Sequence, residues 1–193
     1  MTPGRLSIAA LTVAVVALLV IGLLQAGSSP STPPSRLSLA QMRAQLAGSP
    51  EPLASLHSQA GALLPGGLPA LHARLAALRG QPLVINKWAS WCVPCRSEFA
   101  AFQQAALTQG RRVGFLGIDS GDTAAGARGF LRSNPVGYPS YFDPAGTAGT
   151  AITDSTFTPV TVFYDRRGGL FIHQGPYVSA AKLEQDIRRY ALG

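Results

Sequence analysis

Hydrophobic and polar positions fall into three regimes along this chain. Leu6 to Leu24 form an uncharged run in which only Ser7 and Thr12 carry polar side chains. Nineteen helical residues at about 1.5 Å each span roughly 28 Å, close to the hydrocarbon thickness of a bilayer. An uncleaved membrane anchor within residues 1–27 is therefore expected. A cleaved signal peptide is the rival reading. Its apolar region is shorter, about 7–15 residues, and ends in small residues at −3 and −1; Leu24-Gln25-Ala26 places a leucine at −3. Either reading puts the remainder of the chain on the extracytoplasmic side.

The second regime is polar and then amphipathic. Gly27 to Ser35 reads GSSPSTPPS, a composition that builds no core and acts as a tether, so residues 28–37 are assigned as a linker. Residues 38–80 are expected to form a helical extension. Leu39, Met42 and Leu46 make one stripe, and Leu68, Leu71, Leu75 and Leu78 make a cleaner one at i, i+3, i+7, i+10. Pro65-Gly66-Gly67 separates helices, and Arg79-Gly80 ends the second. These helices are expected to cover the following domain; a partner-binding arm is the alternative.

From Gln81 the pattern switches to strands alternating with helices. Leu83-Val84-Ile85 begins a buried strand and Pro94 to Gln109 a helix; Val113 to Ile118 and Ala124 to Ser133 repeat the pair. Val160 to Tyr164 is β-branched and aromatic, Arg167-Gly168-Gly169 turns, and Leu170 to His173 returns as a hairpin partner. Val178 to Leu192 closes the chain as a helix, with Ser179 as a plausible N-cap. Residues 81–193 thus read as an α/β domain, a parallel βαβα half followed by an antiparallel ββα half.

Composition narrows the function classes. The chain has 193 residues, 47% hydrophobic and 13% charged, with a mean hydropathy of +0.19, which excludes intrinsic disorder. Sixteen Lys+Arg against nine Asp+Glu leave a net charge of +7. The cations are scattered or paired (Arg111-Arg112, Arg166-Arg167, Arg188-Arg189). Without a basic run of five or more they do not indicate nucleic acid, and they suit an anionic membrane surface. Two cysteines exclude a scaffold of several disulfides.

Those two cysteines carry the chemistry. In Val84-Ile85-Asn86-Lys87-Trp88-Ala89-Ser90-Trp91-Cys92-Val93-Pro94-Cys95-Arg96-Ser97-Glu98-Phe99 a strand delivers both into the first turn of a helix. At i, i+3 they share one helix face, near enough for a small-loop disulfide. At the helix N-terminus Cys92 meets unpaired N–H groups and the positive end of the dipole, which favours its thiolate. Cys95, one turn in, is expected to be less exposed and to resolve. Pro94 lacks an N–H where the helix uses none. Zinc needs four ligands, and His57, His72 and His173 have no paired spacing. A c-type haem needs histidine directly after the second cysteine, where Arg96 stands. A purely structural bridge over so short a loop would be unusual, and reversible redox chemistry is the favoured reading. No metal and no cofactor beyond the cysteine pair are expected.

With Trp-Cys-x-x-Cys after a strand, Thr158-Pro159 before a strand and a terminal ββα unit, residues 81–193 resemble the thioredoxin superfamily. The resemblance is specifically to its membrane-tethered TlpA/ResA/CcmG-like thiol–disulfide oxidoreductases. It implies a thioredoxin-like fold (a central mixed sheet flanked by helices), a redox-active Cys92/Cys95 pair and a cis Thr158–Pro159 bond. Thioredoxins proper carry a buried aspartate where Asn86 stands, and Asn86 cannot titrate. The TlpA/ResA-like group keeps an active-site glutamate at the position of Glu98. A carboxylate there can take the proton of Cys95 as it attacks a mixed disulfide; a solvated helix-dipole partner is the plainer role. Trp91, Pro94, Thr158 and Pro159 are expected to line the groove where a partner peptide docks.

Two positions depart from the family pattern. Lys87 replaces an aromatic residue; it is expected to snorkel to solvent, with pairing to Glu98 or a thiolate as the alternative. The Thr156-Phe157-Thr158-Pro159 run lacks the glycine often found two residues before that proline. The resemblance implies a membrane-anchored, extracytoplasmic enzyme that exchanges disulfides with exported proteins, in cytochrome c maturation or oxidative folding. Its partners would be protein thiols and a membrane or extracytoplasmic electron partner. A different class, a redox-silent thioredoxin-shaped module chaperoning a membrane complex through residues 38–80, stays open. An intact Cys-Val-Pro-Cys at a helix start argues against it.

Overall fold

β2 (Leu83–Trp88) is buried along its whole length, and its two faces feed two different cores. Alternation sends Val84, Asn86 and Trp88 to one side and Leu83, Ile85 and Lys87 to the other. Val84 and Trp88 join Phe99, Phe102, Phe115, Phe163 and Tyr177 in the larger core. Leu83 and Ile85 join Leu53, Leu56, Leu71, Leu78, Leu116 and Ile118 in the second. A computed structural model describes residues 37–193; the anchor expected in 1–27 and the linker up to residue 36 lie outside the described residues. Among the described residues no helix is long and apolar enough to cross a membrane.

The described elements run α1 (Leu39–Gln45), α2 (Leu53–Ser58), β1 (Leu63–Leu64), α3 (Gly67–Ala77), β2, α4 (Val93–Gln109), β3 (Gly114–Ser120), α5 (Ala124–Ser133), β4 (Ser140–Asp143), α6 (Thr147–Thr153), β5 (Val160–Tyr164), β6 (Leu170–Gln174) and α7 (Ala180–Asp186). The sheet order is β1-β4-β3-β2-β5-β6. β1, β4, β3 and β2 pair in parallel, while β5 and β6 are antiparallel. This is the thioredoxin-like mixed sheet, with helices on both faces.

Residues 38–80 pack on this sheet. Met42, Leu46, Leu53, Leu56, Leu71 and Leu78 are all shielded from solvent. Arg74 of α3 donates to Tyr141 Oη at 3.1 Å and to Gln59 Oε1 at 2.7 Å, tying α3 to β4 and to the end of α2. β1 extends the sheet at its edge, an element that the leucine spacing does not announce.

Two further elements depart from the sequence pattern. β4 is only four residues, between Pro139 and Pro144. α6 (TAGTAIT) is rich in threonine and glycine, which are poor helix formers. It forms because Asp143 satisfies its first turn, accepting from the Gly149 amide at 2.8 Å and the Thr147 hydroxyl at 3.4 Å. The closing helix, expected to span 178–192, is α-helical only over Ala180–Asp186 and continues as a π-helical turn, Ile187–Ala191. Ser179 caps it as expected, accepting from the Lys182 amide.

Beneath the redox motif lies an aromatic box. Trp88 meets Phe99 edge-on at 5.0 Å between ring centroids, and Phe130 lies 5.4 Å from Trp88 and 4.6 Å from Phe99. The Trp88 indole donates to Ser140 Oγ at 3.2 Å. Gly117 makes that approach possible, because a Cβ there would collide with Ser140 Oγ and lie 2.9 Å from the indole nitrogen. Removing such a ring typically costs about 3–5 kcal/mol.

Candidate active site

Cys92 is the N-cap of α4, with extended backbone angles, and its Sγ accepts from the Cys95 amide at 3.2 Å. Pro94 follows in the first turn, exposed, where no intrahelical N–H is required. Cys92 and Cys95 form a disulfide, with 5.3 Å between Cα atoms. Both sulfurs are largely buried, Cys95 completely and Cys92 nearly so. In the reduced state the free amides and dipole at this helix end favour a Cys92 thiolate.

The rim around Cys92 is apolar and exposed. Trp91 is 63% exposed, Val93 75% and Phe157 75%. Trp91 is nonetheless held, because its indole donates to the Gly121 carbonyl at 3.0 Å. Thr158 brings its carbonyl oxygen to 3.8 Å from Cys92 Sγ, and the Thr158–Pro159 bond is cis with Pro159 buried behind it. The structure therefore brings together Trp91, Cys92, Cys95, Pro94, Thr158 and Pro159.

Glu98 lies one helical turn beyond Cys95 and is fully buried. One carboxylate oxygen accepts from the Tyr177 amide at 3.1 Å; the other has no partner. Burial drives its pKa up to about 8, against the opposing pull of the Tyr177 amide and the nearby Asn86 side chain. The solvated helix-dipole role is thereby corrected: this glutamate is a buried acid. Asn86, Tyr138 and Thr161 contribute further buried polar atoms without hydrogen-bond geometry. Asn86 and Thr161 stand opposite each other in the β2–β5 ladder, on the α4 side of the sheet.

A second buried acid was not indicated by the motif. Asp119, the penultimate residue of β3, stands opposite Trp88, is fully buried, and neither of its oxygens has a partner in hydrogen-bond geometry. Burial, then the charge and carboxyl of Asp122, then Asp143, push its pKa up to about 8. For Asp122 burial acts upward, but the Ser90 and Thr123 groups and the Asp119 carboxyl together hold its pKa below the usual range. Asp122 Oδ2 accepts from the Ser90 amide at 2.5 Å. With Gly121 holding Trp91, the β3–α5 loop thus clamps the two residues entering Cys92. The sequence signal was only an aspartate near the end of a strand, paired across the sheet with Trp88 but 27 positions from Cys92 in the chain.

Lys87 corrects another expectation. It neither snorkels nor meets Glu98: it is buried on the α6 side of the sheet, and its Nζ donates to the Ser155 carbonyl at 2.6 Å. Strand alternation places it on the opposite face from Asn86, so no rotamer could reach the cysteines. Burial lowers its pKa, partly countered by the charge of Asp143. Among the described residues no group of three or more His, Cys, Asp or Glu side chains is placed to hold a metal.

Comparison with known proteins agrees with this geometry. The AhpC/TSA family profile matches residues 70–170. The thiol:disulfide interchange protein DsbE of Allochromatium vinosum is 38% identical over 122 residues, 60% of this chain and 65% of that protein. The thiol-disulfide oxidoreductase ResA of Bacillus subtilis is 27% identical over 70 residues, 36% of this chain and 39% of that protein. The match thus spans less than two thirds of either relative. A crystal structure of a thiol:disulfide interchange protein of the thioredoxin family from Chlorobium tepidum superposes with a TM-score of 0.55 at 26% identity. That superposition covers 61% of this chain and 84% of the other.

Proposed function

The chain belongs to the AhpC/TSA family, and from that premise we propose that it is a thiol–disulfide oxidoreductase acting on protein substrates. The observation that carries the reading is a Cys92–Cys95 disulfide at a helix N-terminus, with an exposed apolar rim before it and a buried carboxyl behind it. In the reduced enzyme the Cys92 thiolate attacks a partner disulfide, forming a mixed disulfide and releasing one partner thiolate. Cys95 then attacks Cys92 Sγ, re-forming the internal disulfide and releasing the second partner thiolate. Two electrons pass to the partner; running backwards, the same steps oxidise it.

The ionised fraction of Glu98, about one tenth at pH 7 for a pKa of about 8, takes the proton of Cys95 in the second step. A carboxyl with a pKa of about 8 is close to the free thiol value of about 8.5, the match at which proton transfer between the two is efficient. Trp91, Pro94, Thr158 and Pro159 form the docking groove. The backbone of Thr158 lies beside the reacting sulfur, where an extended partner segment can pair with it. The cysteine pair is the redox centre, and the reading requires no other cofactor.

The same proposal places the enzyme on the extracytoplasmic side, anchored through residues 6–24 and tethered by 28–37. Its support is the uncharged Leu6–Leu24 run and the Ser/Pro-rich segment after it. Exported proteins are then its substrates, in cytochrome c maturation or oxidative folding, with a membrane or extracytoplasmic electron partner. Mixed-disulfide trapping tests the reading. In Cys95→Ala the first attack proceeds and resolution does not, so Cys92 accumulates covalent adducts with exported thiol proteins. A Cys95→Ala protein that captures none, while wild type reduces no disulfide in vitro, would refute the assignment.

A further inference from the structure

Lys87 is the one ionisable side chain of β2, and the proposed exchange steps do not use it. It stands five residues before Cys92 but on the far face of the sheet, packed so closely under α6 that a Cβ on Gly149 would lie 2.8 Å from its Cε. Its single hydrogen bond is to the Ser155 carbonyl at 2.6 Å. Thr153 Oγ1 lies 3.1 Å from that carbonyl and shares its one proton with the nearer Gly149 carbonyl at 2.7 Å, and the Ser155 hydroxyl accepts from the Phe157 amide at 3.1 Å. Phe157 and Thr158 follow directly, one forming the exposed rim and the other touching Cys92 Sγ. The charged group facing the ammonium is Asp143, whose carboxylate is also held by Ser120 Oγ at 3.1 Å and the Gly149 amide at 2.8 Å.

Burying an ammonium costs several kcal/mol, and an apolar side chain of equal volume would fill the same space without that cost. What the apolar chain cannot do is hold a carbonyl oxygen at a fixed place. A charge-assisted hydrogen bond from a central strand does so, and it is stronger and shorter than a neutral one. The loop between α6 and β5 departs through Asp154 in the left-handed region (φ 49°). It has no strand partner before Val160. Its path over residues 155–158 is therefore set by the Ser155 hub.

We propose that Lys87 is a positioning residue which, acting through the Ser155 carbonyl from the reverse face of the sheet, holds Phe157 and Thr158 in the register that a polypeptide disulfide needs to dock at Cys92. The inference rests on the oxidoreductase reading and adds a division of labour to it. The α4 terminus sets the reactivity of Cys92, and the Lys87-anchored loop sets the affinity for extended protein partners. A small disulfide, which needs no docking surface, is indifferent to the anchor.

Lys87→Met and Ser155→Ala in the full-length chain test this division. Three quantities are measured: kcat and KM for insulin reduction with dithiothreitol as electron source, the rate with bis(2-hydroxyethyl) disulfide, and alkylation of reduced Cys92 by iodoacetamide. Losing a hydrogen bond from a charged donor is expected to raise the insulin KM about tenfold in Lys87→Met. The kcat, small-disulfide and alkylation rates stay within about twofold. Ser155→Ala, which keeps the Lys87 bond to the carbonyl and removes only the hydroxyl that accepts from the Phe157 amide, shifts the insulin KM the same way by about threefold. An unchanged insulin KM, or equal slowing of all three reactions, would overturn the proposal. Should Lys87→Met not fold, an unchanged insulin KM in Ser155→Ala overturns it alone. Wild-type protein that reduces neither disulfide refutes the oxidoreductase reading instead, and the two failures are read separately.

Discussion

On one face of β2, Asn86 looks towards Glu98, Tyr138 and Thr161, and five of their polar atoms have no protein partner. On the other face, Lys87, Ser120, Asp143 and Thr153 are buried to the same degree, yet each makes hydrogen bonds. Adjacent residues of one strand thus open onto two polar clusters of equal depth and opposite condition. A fully paired buried cluster holds geometry, because breaking any bond leaves its partner stranded. An under-paired one raises the pKa of its acid towards neutrality, because burial penalises the ionised form more than the neutral one and too few hydrogen bonds offset that penalty. The under-paired cluster is the one behind Cys95, where the proposed exchange moves a proton.

The sharpest way to break this contrast is through pH. Glu98 is raised from 4.5 to about 8 and Asp119 from 3.8 to about 8. Between these limits each is predominantly protonated in the folded state, with an ionised fraction that grows from about one tenth at pH 7 to about half at pH 8, and predominantly ionised in the unfolded one. The native state therefore binds more protons, and stability falls as pH rises from about 4.5 through 8. Glu98 alone contributes on the order of 4 kcal/mol to this loss, and Asp119 acts in the same direction. Urea denaturation of the oxidised protein at pH 5 and pH 8 measures it. Glu98→Gln is expected to flatten the Glu98 share and to exceed wild type in stability at pH 8. Equal wild-type stability at the two pH values would abolish the distinction between the clusters.

The paired cluster has the opposite test. Asp143→Ala strands the Gly149 amide and the Ser120 hydroxyl and removes the negative charge facing Lys87. A loss of about 3 kcal/mol is expected, read from the urea midpoint at constant slope. A loss under about 1 kcal/mol would show that pairing there is incidental.

The smallest effect is kinetic. Glu98→Gln keeps the shape of the side chain but removes its proton acceptor, so resolution of the mixed disulfide should slow about tenfold at pH 7. The slowing should fade as pH approaches the thiol pKa, where thiolate forms unaided. Stopped-flow single turnovers from pH 6 to 9 resolve this profile. A pH-independent defect would assign Glu98 to packing instead of proton transfer.

Much of the fold was legible because its signals are local. The β2 run, the α4 start at Cys92, the Ser179 cap and the β5–β6 hairpin follow from hydrophobic period, helix-end chemistry and turn residues. β4 and α6 were not legible, because Ser140–Asp143 is short and Thr147–Thr153 has weak propensity. Both exist through long-range partners, β3 beside one and Asp143 beneath the other. At the site, Cys92, Cys95 and Glu98 could be placed on one helix face from spacing alone. Asp119, Asp122 and Tyr177 could not, since their relation to Cys92 spans 27 to 85 positions of chain.

By itself the sequence determined the chemistry available: two thiols three residues apart at a helix start, a carboxyl one turn further on, and a non-titrating asparagine on the strand before them. It determined these because helix geometry relates i, i+3 and i+6 without reference to the rest of the chain. The tertiary structure alone decided the environment of each group. It buried Glu98 against the Tyr177 amide, turned Lys87 to the far face onto Ser155, and set the Thr158 carbonyl beside Cys92. Desolvation and partner geometry depend on which distant segments close over a side chain, and those are settled only when the sheet assembles.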